Sequence, residues 1–212
     1  MTVDYEDQRS EVAYFMRRLY RQGLTTTSGG NLSCRVGEDV VLLTASKSDK
    51  AELRADQVLL MSLDGDNLSP ELVPSIESSM HLSIYRARPD VTAIVHAHPP
   101  HASAFCATRV PVNTHLTAEG YAILGDPVFV PYACMGSENL AQRVATGVKN
   151  GALCALMENH GVLAVGDSLL QAFDRLEVLE LAAKHTLWVS QIGSKIELDE
   201  DRLVELDRLM GR

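Results

Sequence analysis

The sequence predicts a layered α/β domain whose central sheet is mixed or antiparallel. Three observations carry this. Short apolar runs bounded by turn residues are interspersed with stretches of helical period. The runs follow an irregular rhythm, with more than one run before a helix in places, unlike the strict strand–helix alternation of doubly wound parallel sheets. No linker, repeat or low-complexity stretch divides the 212 residues, a length that suits one domain or at most two.

Residues from about Asp4 to Gln22 place Val12, Phe15, Met16 and Leu19 at helical spacing, and Gly23 closes the segment. The polar loop Thr25-Thr26-Thr27-Ser28-Gly29-Gly30 leads into a strand at Asn31 to Val36. Apolar runs follow at Val40 to Thr44 and Val58 to Ser62, the second ending in the turn Asp64-Gly65-Asp66-Asn67. Pro74-Ser75 opens a helix to about Arg88, where Pro89 stops it. Val91 to Val95 is a compact strand running directly into His96-Ala97-His98-Pro99-Pro100-His101. Val128 to Val130 is another strand, and Ser137 to Asn150 is helical with Gly151 as its stop. Ala152 to Met157 and Val162 to Val165 are strands around the turn Glu158-Asn159-His160-Gly161. Asp167 is a candidate N-cap for a long helix carrying Leu169, Ala172, Phe173, Leu176 and Leu179 on one face, and Asp199 to Met210 forms a last short helix.

Hydrophobic residues make up 46% and charged residues 22%, a composition that folds. A formal charge of −9 argues against nucleic acid or an anionic membrane as partner. A small anionic substrate stays open, because a few local donors can hold it against the overall field. No apolar run reaches the roughly 18 residues that span a bilayer. The acidic start lacks the blocks of a signal peptide, and Cys34, Cys106, Cys134 and Cys154 form no C-x-x-C pair. The expectation is a reduced, cytoplasmic protein.

The chemistry concentrates in three places. His96 and His98 point to one side of an extended segment, as a metal clip requires, and His160 sits at a turn that can aim it inward. Three neutral imidazoles leave a metal's fourth position open for substrate. H-x-H is a weak motif by itself, and His101 competes with His160 unless residues 99–101 begin a helix, which would turn it away. Glu77 lies in the first turn of the helix opened by Pro74-Ser75, where carboxylates are common because the macrodipole is positive there. His81 follows one turn on, where a packed or solvated ring is the ordinary expectation. Ser28-Gly29-Gly30-Asn31 could form an anion-binding nest, though such sequences are more often tight turns.

Together these residues resemble the class II aldolase/adducin family. The resemblance rests on Thr27-Ser28-Gly29-Gly30-Asn31-Leu32-Ser33, on Pro74-Ser75-Ile76-Glu77 through Arg88-Pro89-Asp90 to His96-Ala97-His98, and on Asn159-His160-Gly161, in that order. It implies one domain over residues 1–212, a three-layer α/β/α fold on a mixed, largely antiparallel sheet, and a homotetramer with sites between subunits. It further implies one divalent metal per subunit, zinc first with manganese or cobalt as alternatives, on His96, His98 and His160. Glu77 becomes the acid/base of a retro-aldol cleavage through an enediolate that the metal stabilises. Gly30, Asn31, Ser46 and Ser75 become anion-binding residues.

The sequence also departs from that pattern. Ser46-Lys47 stands where family aldolases commonly have Thr-Gly, and Ile76 where they commonly have a second serine. His115 takes the place of a proton-shuttling tyrosine, with Glu119 nearby as an alternative carrier. Lys47 could hold a carboxylate, so decarboxylation of a keto acid is the serious rival, with sugar-phosphate dehydration on the same site behind it. A non-catalytic adducin-like module is disfavoured because all three metal histidines are present.

Overall fold

The computed structural model describes residues 5–211. Asp4, at the start of the expected first helix, lies outside them. A seven-stranded sheet runs β3-β2-β1-β4-β7-β6-β5. Its strands are β1 Asn31–Arg35, β2 Val40–Thr44, β3 Val58–Ser62, β4 Ala93–Ala97, β5 Val128–Val130, β6 Cys154–Met157 and β7 Val162–Gly166. Every neighbouring pair is antiparallel except β5 with β6. The sheet is therefore mixed and largely antiparallel, as the irregular rhythm of the apolar runs predicts.

Helices cover both faces. On one lie α1 Glu6–Arg21, α3 Pro100–Cys106, α4 Ala118–Leu124 and α6 Leu169–Ile192; on the other lie α2 Ser78–Ala87 and α5 Glu138–Val148. Strand parity sorts the core between them. Ala93, Val95 and Ala97 of β4 pack under α1 and α6, whereas Ile94 packs under α2 and α5. On β1, Leu32 and Cys34 join the first core, which turns Asn31 and Ser33 toward α2. His96 shares the parity of Ile94. That alternation delivers the polar residues of two adjacent strands to the face on which α2 begins. A last helix, α7 Glu200–Met210, is capped by Asp199, whose side chain accepts from Arg202 N–H.

Several boundaries differ from expectation; β4 runs over Ala93–Ala97 rather than Val91–Val95, so that it includes His96. α2 begins at Ser78, and Glu77 is its N-cap with no side-chain capping bond, because its carboxylate is engaged inside the protein. Ser168, not Asp167, caps α6, its hydroxyl accepting from Gln171 N–H. α3 and α4 carry only seven residues each, fewer than two full turns, too short to show a readable period. Among the described residues no helix is long and apolar enough to cross a membrane.

Candidate metal centre

The site forms where the C-terminal end of β4, the β6–β7 turn and the N-terminus of α2 converge. His96, fully buried, stands on β4 directly opposite Asn31 on β1. Its Nδ1 lies 2.9 Å from the carbonyl oxygen of Val162. A carbonyl only accepts, so Nδ1 carries the hydrogen and Nε2 is the nitrogen that faces Glu77 and the other rings. His98 follows just past the strand, seated between two glycines. A Cβ on Gly29 would come 2.7 Å from His98 Nδ1, and one on Gly161 would overlap the ring. His160 is aimed inward by its turn, in which Asn159 adopts φ 54° and Asn159 N–H bonds Cys106 C=O at 2.9 Å.

The three rings gather closely. His96 lies 4.9 Å from both His98 and His160 between ring centroids, and His98 lies 5.7 Å from His160. One ligating nitrogen from each falls within 4.8 Å of the others, a spacing that one ion can bridge. Glu77, buried, places Oε1 2.9 Å from His160 Nε2 and Oε2 3.3 Å from His96 Nε2. Even so, none of the buried atoms Glu77 Oε1, His96 Nε2 and His160 Nδ1 makes a well-directed hydrogen bond. Orphaned buried atoms are costly, and here they are concentrated at one point with the donor types of a zinc-like site. The residues fit a divalent cation.

Electrostatics agree. Burial alone would raise the Glu77 carboxyl, but His96, His160 and the Asn31 amide outweigh it and hold the group well below the usual carboxylate range. Burial opposes a charge on His96, yet Glu77 beside it carries the ring above its ordinary value. His98 is pushed down to about 4, by burial first and then by His96 and His160, so its ring is neutral near pH 7.

Asn31 is fully engaged. Its Nδ2 donates to Glu77 Oε2 at 2.8 Å and to Ser75 Oγ at 3.2 Å, and its Oδ1 lies 2.6 Å from His81 Nε2. Gly30 precedes it at φ 72°, where an added Cβ would also come 2.7 Å from the His96 carbonyl oxygen, so both conformation and space require glycine. Ser46 N–H is tied to Val73 C=O at 2.8 Å. Lys47 is exposed in the left-handed region at φ 56°, and Ile76 is 59% exposed rather than packed in the core.

Two expected residues are not brought to the cluster. His115 lies in a 3-10 turn, 3.2 Å from Asp126 and edge-on to Tyr121, and Glu119 is exposed in the first turn of α4. His101 lies in the first turn of α3 and faces away, its Nδ1 2.7 Å from Glu180 Oε1. Sequence reasoning passed over Ser33 and treated His81 as ordinary, yet both bond into the same buried polar cluster. Their signal was periodicity: Ser33 is two residues from Asn31 on a strand, and His81 is four from Glu77 along a helix.

The sequence profile of the Class II Aldolase and Adducin N-terminal domain matches residues 10–187. The chain belongs to that family. An L-fuculose phosphate aldolase of Methanocaldococcus jannaschii is 37% identical over 171 residues, covering 81% of this class II aldolase-type chain and 91% of that protein. A 3-oxo-tetronate 4-phosphate decarboxylase of Haemophilus influenzae is 30% identical over 202 residues, covering 93% and 94%. A solved L-fuculose 1-phosphate aldolase superposes with TM-score 0.89 at 29% identity, covering 97% of each chain. That solved structure shares the helix-flanked sheet architecture of this class II aldolase-type domain.

Proposed function

We propose that this protein is a divalent-metal-dependent lyase that cleaves a C–C bond in a small anionic ketose phosphate, with zinc as its metal. The observation that carries this reading is the buried Glu77 carboxylate, 2.9 Å from His160, beside three histidines whose candidate ligating nitrogens lie within 4.8 Å of one another. His96, His98 and His160 would hold the cation, which supplies Lewis-acid polarisation of a substrate oxygen. Glu77 Oε1 takes up and returns the proton of the reacting carbon, while Oε2 stays fixed by Asn31. Gly30, Ser46 and Ser75 line the loop ends that bind the substrate anion, and Lys47 adds a mobile positive charge.

Assembly into a homotetramer with sites between subunits completes the reading. Val73 and Ile76 are exposed on either side of Ser75, and Gly136, next to exposed Met135, packs against Ile76. An apolar rim of this kind is what a neighbouring subunit covers. His115 and Glu119 then act as second proton carriers only if a neighbouring subunit presents them.

A second reading, decarboxylation of a phosphorylated keto acid on the same metal, is favoured by the likeness to the Haemophilus influenzae decarboxylase over nearly the whole chain. A panel of ketose 1-phosphates and 3-keto acid phosphates, assayed with and without chelator, separates the two. Chelator-sensitive aldehyde release supports the aldolase, carbon dioxide release supports the rival, and turnover insensitive to chelation refutes both.

A further inference from the structure

We propose that His81 is a positioning residue for the Glu77 carboxylate, acting through Asn31 and held in place by Ser33 and Tyr85. The inference rests on the reading of Glu77 as the proton carrier. Five side chains form one continuous chain inside the protein. Tyr85 OH lies 2.8 Å from Ser33 Oγ, and Ser33 Oγ lies 2.6 Å from His81 Nδ1. His81 Nε2 lies 2.6 Å from Asn31 Oδ1, and Asn31 Nδ2 lies 2.8 Å from Glu77 Oε2. None of the five is more than 6% exposed.

The chemistry of the groups allows one direction of donation. A carboxylate only accepts, so Asn31 must present its NH₂ to Glu77 and its carbonyl to His81. That carbonyl needs a donor, so His81 carries its hydrogen on Nε2 and accepts at Nδ1. Ser33 gives its single hydrogen to Nδ1 and must itself accept from the Tyr85 hydroxyl. With a neutral His81 ring, reversing any one link sets acceptor against acceptor at hydrogen-bond distance in a dry interior, where an unmade bond is most costly. Asn31 has the two faces of an amide and could otherwise flip. The three residues behind it settle which face meets Glu77. Oε2 is therefore pinned as an acceptor, and Oε1, facing His160, is the oxygen left for proton transfer.

Nitrogen-15 NMR of the histidine rings in the full-length protein, with His81→Gln identifying the His81 signals, should show Nε2 protonated and Nδ1 bare. Ser33→Ala, which removes one buried hydrogen bond and little volume, should lower kcat about tenfold while KM and bound metal stay within about twofold. Tyr85→Phe should act in the same direction and less. His81→Gln retains an acceptor and a donor and should keep more kcat than His81→Leu. A His81 ring protonated on Nδ1, or on both nitrogens, overturns the proposal, as does a Ser33→Ala protein with unchanged kcat or with lost metal. Should the wild type cleave no substrate on the panel, the lyase reading falls, and the ring tautomer alone decides whether the chain of bonds runs as described.

Discussion

Asn31 on β1 is the cross-strand partner of His96 on β4, so the residue that anchors Glu77 and the first histidine of the cluster are fixed by one antiparallel register. A slip by one residue would turn Asn31 to the opposite face of the sheet and leave Glu77 Oε2 without its donor. The site is thus specified by strand pairing before any ligand is bound.

Metal content should follow the geometry of the rings. His96→Ala and His160→Ala each remove a converging ligand and should leave the protein largely metal-free by elemental analysis. His101→Ala should keep full occupancy, because His101 is bonded to Glu180 on α6. Equal loss of metal in His101→Ala and His160→Ala would contradict the three-histidine centre.

Glu77→Gln keeps the size of the side chain and removes its proton chemistry. Turnover should fall by about 10² to 10⁴, the usual worth of general acid–base catalysis, with bound metal and substrate affinity largely retained. Near-normal turnover would move the acid/base role to another residue.

Helical period made α1 and α6 legible, Pro and Gly boundaries made α2 and α5 legible, and the strands stood out as apolar runs between turns, because β4, β6 and β7 are buried on both faces. The three histidines and Glu77 were legible only jointly, as three motifs in order; singly, each had an ordinary explanation. The connection from His81 to Asn31 was not legible. Two same-face pairs, Asn31 with Ser33 and Glu77 with His81, could be read locally. Which strand face meets which helix depends on packing between residues 50 apart in the chain. The clasp of Glu180 on the start of α3 was hidden for the same reason: its partners His101 and Ala102 are 79 and 78 residues distant.

Acid should weaken the fold partly through His81. Burial first, and then the charge of His96, push its pKa down to about 3, with Glu77 opposing. An unfolded histidine takes a proton near pH 6.5. Between those values the unfolded chain binds a proton that the folded one refuses, so stability falls as pH drops, by up to about 1.4 kcal/mol per unit from this one group. Urea unfolding in chelator at pH 7 and pH 5 should show a larger loss for the wild type than for His81→Gln. Equal losses would mean that the ring is not held neutral.

Lys47 joins strain to substrate choice. A non-glycine residue in the left-handed region costs roughly 1–2 kcal/mol, and glycine there gives back about 0.5–1 kcal/mol of that through its larger unfolded-state entropy. Lys47, at φ 56°, occupies the position where family aldolases commonly have glycine. Lys47→Gly should therefore stabilise the protein by up to about 1 kcal/mol, while Lys47→Ala, equally strained, should leave stability near the wild type. If the ammonium binds the substrate anion, both variants raise KM alike and leave bound metal intact, because they lose the same charge. Strain retained where glycine would relieve it is then explained by the charge it carries. Ile76 adds a second arm: at 59% exposure it offers an alkyl surface where a hydroxyl could serve a phosphate. Ile76→Ser should improve fuculose 1-phosphate relative to the preferred substrate. Lys47→Gly that stabilises the protein without moving KM, together with an unaffected substrate order in Ile76→Ser, would leave Gly30, Ser46 and Ser75 as the whole anion site and end the case for an altered substrate.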